Sequence, residues 1–235
     1  MSTFGRVAML APMEIELLPL TRELGLVHDG TFHRATMGDT EVLAVVTTMG
    51  MTAGEEAARA VLDAGVDRVI VVGIAGGVDP STVRIGDVVV PETVIDRRDD
   101  RRYGPPLSPG ATPRGTISCG DELITDPARL ATMGNAGVIA VDMETAAVAA
   151  VCEAAGVPWS AYRGVSDYAG EGLVDQELFE STNPDGTANA DAMRAYLERH
   201  PDKLEVLTRL AENTTRATEA AAATAIRSCV SPQRG

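Results

Sequence analysis

Carboxylates in this sequence collect just past the ends of apolar runs. Glu14 and Glu16 follow Arg6–Ala11, Asp142 and Glu144 close and follow the run 138–141, and Ser166-Asp167 ends the run 159–165. In open α/β sheets, the rim beyond the strand ends is where ligands bind, and carboxylates held there are suited to acid–base work. Each also has a plain structural reading. Glu14 and Glu16 suit the first turn of a helix, where the dipole favours negative charge. Asp142 and Glu144 fit the capping positions of an Ala-rich helix, and Ser166-Asp167 fits the start of another. Gly73, Gly76 and Gly77 allow a ligand close to the backbone, and a tight strand-to-loop turn needs them equally. Their spacing is neither a dinucleotide G-x-G-x-x-G nor a phosphate-cradling G-x-x-x-x-G-K-S/T.

The elements that must position these groups follow from the apolar periodicity. Short apolar runs bounded by turn residues predict buried strands at Arg6–Ala11, 42–48, 68–72, 87–90, 115–118, 138–141 and 159–165. Helical spacing fills Glu14–Leu24, 53–64 and 143–155, ending at Gly25, Gly65 and Gly156. The stretch 96–112, with its Arg/Asp run and Pro105, Pro106 and Pro109, reads as a long surface loop. Beyond a Gly- and acid-containing loop come a short helical segment and the turn-rich 181–189. Two closing helices at Ala190–Arg199 and 203–226 follow, the last with an apolar face at Leu204, Leu207, Leu210 and Ala211. This alternation predicts a three-layer α/β/α fold around a central mixed sheet, with 1–235 as one domain.

Composition narrows the function classes. Acidic residues outnumber basic ones by 34 to 20, so the overall field opposes a nucleic-acid backbone. Cys119, Cys152 and Cys229 form no C-x-x-C, which argues against a disulfide framework or zinc knuckle and suits a reducing compartment. The start of the chain lacks a signal-peptide pattern, and no apolar run is long enough to span a membrane, so the expectation is a cytoplasmic protein with no membrane partner. His28, His33 and His200 lie outside the motifs and suggest no metal site.

The joint order of the pieces is what the separate structural readings leave unexplained. Pro12-Met13-Glu14-Ile15-Glu16, Met49-Gly50-Met51, Ala75-Gly76-Gly77 with Ile85-Gly86-Asp87-Val88-Val89-Val90, Val141-Asp142-Met143-Glu144 and Arg163 through Asp167 occur in sequence. That order resembles the methylthioadenosine/S-adenosylhomocysteine nucleosidases of the purine nucleoside phosphorylase/uridine phosphorylase superfamily, over most of the first 170 residues. The resemblance implies hydrolysis of a purine nucleoside, 5′-methylthioadenosine and/or S-adenosylhomocysteine, to free base and sugar, with Glu16 activating water and Asp167 protonating N7 of the departing base. Ser166 would orient Asp167, Glu144 would hold the ribose hydroxyls, and Met143 would pack on the sugar. Met49 would line the 5′-substituent pocket, Arg163 would lie on the nucleophile side, and Gly76, Leu123 and Ile124 would complete substrate binding. No cofactor is implied, and a homodimer is.

Glycosidic cleavage passes through a cationic sugar, so a base on one face and an acid at the leaving group are the types required. To donate near neutral pH, Asp167 needs a raised pKa, which burial can supply. Some positions depart from the family pattern. Ile74 stands where a hydroxyl residue precedes Ala-Gly-Gly, Asp142 replaces a Glu, the segment 91–114 is short, and 181–189 has no counterpart. The alternatives are a purine nucleoside phosphorylase, which needs a cationic phosphate pocket that Arg163 alone would not make, a hydrolase for futalosine or another modified nucleoside, and a nucleoside-binding protein without catalysis.

Overall fold

The computed structural model describes residues 4–106 and 111–230. In chain order they form β1 (Arg6–Ala11), α1 (Glu14–Leu24), β2 (Val27–Asp29), β3 (Phe32–Met37), β4 (Thr40–Val46), α2 (Met51–Asp63), β5 (Arg68–Gly77), β6 (Val88–Val89) and β7 (Thr93–Asp96). There follow β8 (Arg102–Tyr103), β9 (Thr116–Cys119), α3 (Pro127–Asn135), β10 (Val138–Asp142), α4 (Thr145–Ala155), β11 (Trp159–Tyr168), α5 (Gln176–Glu180), α6 (Ala190–Arg199) and α7 (Lys203–Val230). One mixed sheet carries them in the order β2-β3-β4-β1-β5-β10-β9-β7-β8, and β11 branches off β5 to pair also with β6.

Side-chain alternation along the strands explains the three layers. In β1, Ala8 and Leu10 join one apolar cluster with Met51, Ala58 and Val61 of α2 and Val148 and Cys152 of α4. Val7, Met9 and Ala11 point the other way, towards Leu17 and Leu20 of α1 and Ala221 and Ala225 of α7. A period of two on the strand and near 3.6 on the helices thus builds two cores back to back. Among the described residues, no helix is long and apolar enough to cross a membrane.

The stretch 96–112 is not wholly loop. β7 and β8 pair antiparallel through Val94–Tyr103 and Ile95–Arg102, and β7 runs parallel to β9, so this segment extends the sheet edge. The two-residue β8 is too short to show a strand period; residues 107–110 lie outside those described. The hairpin β2–β3 and helix α3 also lack a strong apolar period, although α3 carries a legible start: Asp126 accepts from Ala128 N–H just before Pro127.

Candidate active site

β5 is the pivot of the site. β1 pairs with its first half and β11 with its whole length in parallel, while β10 meets its Gly76-Gly77 end antiparallel. Three strand ends and the start of α1 therefore converge. β11 carries a bulge between Val165 and Asp167 against β5, placing Ser166 and Asp167 in a strand rather than at the helix start that their types also suit. Such bulges re-aim side chains at the rim of a sheet.

Glu16 is the hinge between α1 and β5. Its Oε2 accepts from the Met13 N–H at 2.6 Å, the helix-start role expected of a first-turn carboxylate. Its Oε1 reaches across to accept from the Ile74 N–H at 2.6 Å. Gly73 makes that crossing possible, because a Cβ there would fall inside the Glu16 carboxylate. Glu16 is fully enclosed, and burial pushes its pKa up to about 8, against the opposing pull of Arg163 and with Glu144 adding to the rise. Glu14, two residues earlier, is exposed.

Arg163 binds the next two carboxylates. Its Nε donates to Asp142 Oδ2 at 2.8 Å and its Nη2 to Glu144 Oε2 at 2.6 Å, with all three side chains buried. Burial works against the guanidinium charge, but Asp142, then Glu144 and Glu16, hold its pKa above the ordinary value. Nη1 is buried without a hydrogen-bond partner and lies, like the Glu16 carboxylate, beside Gly73. Glu144 Oε1 accepts from the Gly50 N–H at 2.9 Å, and burial raises its pKa. Gly50 has φ of +109°, a conformation that suits glycine, and it opens α2. Asp121 takes the next N–H of that helix, Met51, at 2.6 Å. Carboxylates from distant loops thus satisfy the unpaired donors of α2.

Asp167 is half-buried at the cavity wall; desolvation raises its pKa, a hydroxyl bond from Ser166 Oγ at 2.5 Å opposes the rise, and Glu171 adds to it. A cavity of about 170 Å³ joins these groups. Glu16, Met49, Gly76, Leu123, Ile124, Met143, Glu144, Arg163, Ser166 and Asp167 all line it, so the structure brings together every site residue expected from sequence. Asp142 and Glu144 bracket the Arg163 guanidinium and Glu16 adds a further negative charge once it ionises, an arrangement suited to a developing cation, and Asp167, its pKa raised, is suited to giving up a proton.

Sequence reasoning missed Arg97. It lines the same cavity, and its guanidinium donates to the backbone carbonyls of Ser118 at 2.7 Å, Gly120 at 2.6 Å and Glu122 at 3.1 Å. It therefore ties down the loop leading to Leu123 and Ile124. The only sequence signal was its place at the end of a short apolar run, obscured by the charged stretch around it. Segment 181–189 also belongs to the site's surroundings: Asp185 O accepts from Glu14 N–H at 3.1 Å and Pro184 O from Met49 N–H at 2.8 Å.

Comparison with known proteins agrees with this arrangement. The family model described as the phosphorylase superfamily matches residues 2–113 and 108–200. The 5′-methylthioadenosine/S-adenosylhomocysteine nucleosidase of Bacillus thuringiensis (strain Al Hakam) is 28% identical over 222 residues, covering 76% of this chain and 95% of that protein. Among solved structures, the Helicobacter pylori futalosine hydrolase superposes with a TM-score of 0.70 at 17% identity, covering 96% of this chain and 97% of that one. A Helicobacter pylori 5′-methylthioadenosine/S-adenosylhomocysteine nucleosidase in complex with a pyrrolidine inhibitor gives 0.71 at 18% identity, covering 97% and 99%. At these identities the solved structures share the fold with this chain.

Proposed function

The chain belongs to the phosphorylase superfamily, and from that premise we propose that it hydrolyses the N-glycosidic bond of a purine nucleoside carrying a 5′-substituted ribose, with 5′-methylthioadenosine as the reference substrate. In this reading Glu16 draws the proton from water, and Asp167, oriented by Ser166, donates to N7 of the leaving base. Glu144 accepts from the ribose hydroxyls, Met143 packs on the sugar, and Met49 lines the 5′ side. Gly76, Leu123 and Ile124 contact the base through their backbone. The negative excess around Arg163 stabilises the sugar as it becomes cationic.

One observation favours water over phosphate as the nucleophile. Arg163, the cation beside Glu16, is already shared between Asp142 and Glu144, which leaves little cationic charge to receive an incoming anion. Arg97, the other arginine lining the cavity, is engaged by three carbonyls at the far loop. Nor does Ile74 unhook the base, since its backbone N–H supplies the contact to Glu16 that needs no hydroxyl side chain.

Chromatographic release of adenine from 5′-methylthioadenosine, with and without phosphate, tests this. Equal rates and free sugar as product are expected. A strict need for phosphate and a sugar 1-phosphate product would make the chain a phosphorylase; binding without cleavage would make it a nucleoside-binding protein. The same resemblance carries a single domain over 1–235, a homodimer and a cytoplasmic location, of which light scattering and a single calorimetric unfolding transition check the first two.

A further inference from the structure

The segment 181–189 supplies no group to the chemistry of the site, yet it is fastened to both of the turns that do. It is a small hairpin closed by a Thr182–Ala188 bridge, with Asn183 N–H donating to Thr187 O at 2.8 Å and Gly186 N–H to Asn183 O at 2.9 Å. Its own side chains brace the tip. Asp185 Oδ1 accepts from the Thr187 N–H at 2.9 Å and from the Thr187 hydroxyl at 2.6 Å, and Asn183 Nδ2 donates to that hydroxyl at 2.9 Å. Local bonds of this kind fix the shape of a turn without help from a core. Gly186 has φ of +80°, a conformation open to glycine at no steric cost.

Two carbonyls reach out from this braced tip. Asp185 O accepts from the Glu14 N–H at 3.1 Å, a first-turn donor that α1 cannot pair within itself. Pro184 O accepts from the Met49 N–H at 2.8 Å. Met49 follows Thr48, a β-branched residue held at φ of +66°, and such a conformation persists only where its surroundings fix it. The next residue, Gly50, donates its N–H to Glu144. On the other arm Gly186 lies so close to Met13 that a Cβ would collide with Met13 Cβ, Cγ and Sδ, and the Met13 N–H is one of the two donors that hold Glu16. The tip therefore grips the chain at Met13 and Glu14 on one side and at Met49 on the other, next to the backbone donors that aim Glu16 and Glu144.

We propose that 183–187 is a positioning clip that sets Glu16 at its working distance from the sugar held by Glu144, and so acts on the rate of cleavage and not on affinity. It rests on the reading of the site as a nucleoside hydrolase. The test is a double-mutant cycle between Gly186→Ala and Glu16→Gln, read as kcat and KM for adenine release from 5′-methylthioadenosine. The added methyl pushes on Met13 and through it on Glu16, so kcat is expected to fall about a hundredfold with KM little changed. In the Glu16→Gln background, where residue 16 no longer takes a proton, the same substitution is expected to cost less than about threefold. A merely structural clip would cost the same factor in both backgrounds. That result, or a rise in KM with kcat unchanged, would overturn the proposal while leaving the hydrolase reading intact. Should Gly186→Ala not fold, Thr187→Val decides in its place, because it keeps the shape of an exposed side chain and removes only the hydroxyl that braces the tip. It is expected to lower kcat about fivefold where Glu16 is present, and Thr187→Ser to retain most of the activity; no loss, or equal loss in both backgrounds, refutes the clip. If the wild type cleaves no nucleoside, the hydrolase reading fails, and carboxyl NMR of Glu16 in the folded variant decides. Burial pushes its pKa up to about 8, against Arg163 and with Glu144 adding to the rise. A fall back towards the ordinary carboxylate value, as water reaches the displaced group, supports the clip, and an unchanged value refutes it.

Discussion

Two arginines lie fully buried in adjacent, parallel strands of one sheet, Arg68 at the start of β5 and Arg163 midway along β11. Arg68 is held by neutral groups. It donates to Ser228 O at the end of α7, to the hydroxyls of Ser160, Ser228 and Tyr162, and sits 5.6 Å from the Phe4 ring. Arg163 is held by two carboxylates with a third nearby. Each has one guanidinium nitrogen without a hydrogen bond, Nε in Arg68 and Nη1 in Arg163. The Arg163 orphan lies beside Gly73 and the Glu16 carboxylate, at the edge of the cavity, whereas Arg68 binds the end of a helix to the sheet. Buried charge is therefore no mark of function by itself; what distinguishes the two is whether the partners are charged and the residue lines the cavity.

The comparison is sharpened most by removing the base that Arg163 faces. Glu16→Gln keeps the side chain's size but cannot ionise, so kcat is expected to fall on the order of a thousandfold, with substrate affinity changed far less. Comparable loss of both, seen by single-turnover kinetics beside equilibrium binding, would make Glu16 a structural residue. Arg163→Lys keeps one charge but cannot fork between Asp142 and Glu144. A loss of about a hundredfold in kcat/KM is expected, while circular dichroism shows a folded protein. Arg68→Met should do the reverse, costing about 2 kcal/mol of stability in urea titration through the lost charge-assisted bonds and leaving kcat/KM per folded molecule unchanged. Equal kinetic effects from both arginines would break the distinction.

Much of this site is legible in the order of the amino acids alone. The strands of the inner sheet and α1 follow from periodicity, because each buries an apolar face, while α6, of which Tyr196 alone is buried, shows in its capping Asn189 and in Pro201 beyond its end. The ten expected site residues converge because most sit at a strand end or helix start, with Arg163 inside β11 and Leu123 and Ile124 in the loop after β9. What sequence leaves dark is what lacks a period or depends on distant contacts. β8 has two residues, and β2 three exposed ones, too few to show alternation. Arg97 looks like one more charge in a charged run, since its carbonyl partners are 21 to 25 residues away.

Arg97 itself tests a finer version of the same contrast, since its charge meets only carbonyls, like Arg68, yet lines the cavity, like Arg163. If it acts by holding the loop before Leu123, Arg97→Met should raise KM about tenfold and lower kcat less. Arg97→Lys should recover part of the loss by restoring some of the carbonyl contacts. Loss confined to thermal stability, with KM unchanged in both variants, would place it with Arg68.

The smallest effect is a dependence on pH, which belongs to Glu16 beside Arg163 and leaves Arg68 out. Glu16 must be ionised to act as a base, and its pKa is pushed up to about 8, so kcat/KM is expected to climb with pH towards 8 along a limb that Glu16→Gln abolishes. The same raised pKa acts on stability. The folded state holds this proton more tightly than the unfolded chain, whose value is near 4.5, so the Glu16 contribution is fully present below that pH and is lost as pH rises through about 8. Calorimetric Tm measured at pH 5 and pH 8.5 should fall more in the wild type than in Glu16→Gln, and Arg68→Met should keep the wild-type slope, because it leaves the environment of Glu16 untouched. A slope shared by wild type and Glu16→Gln would mean that Glu16 does not carry the buried proton, and the ascending limb of the rate profile would then have to be assigned to another group.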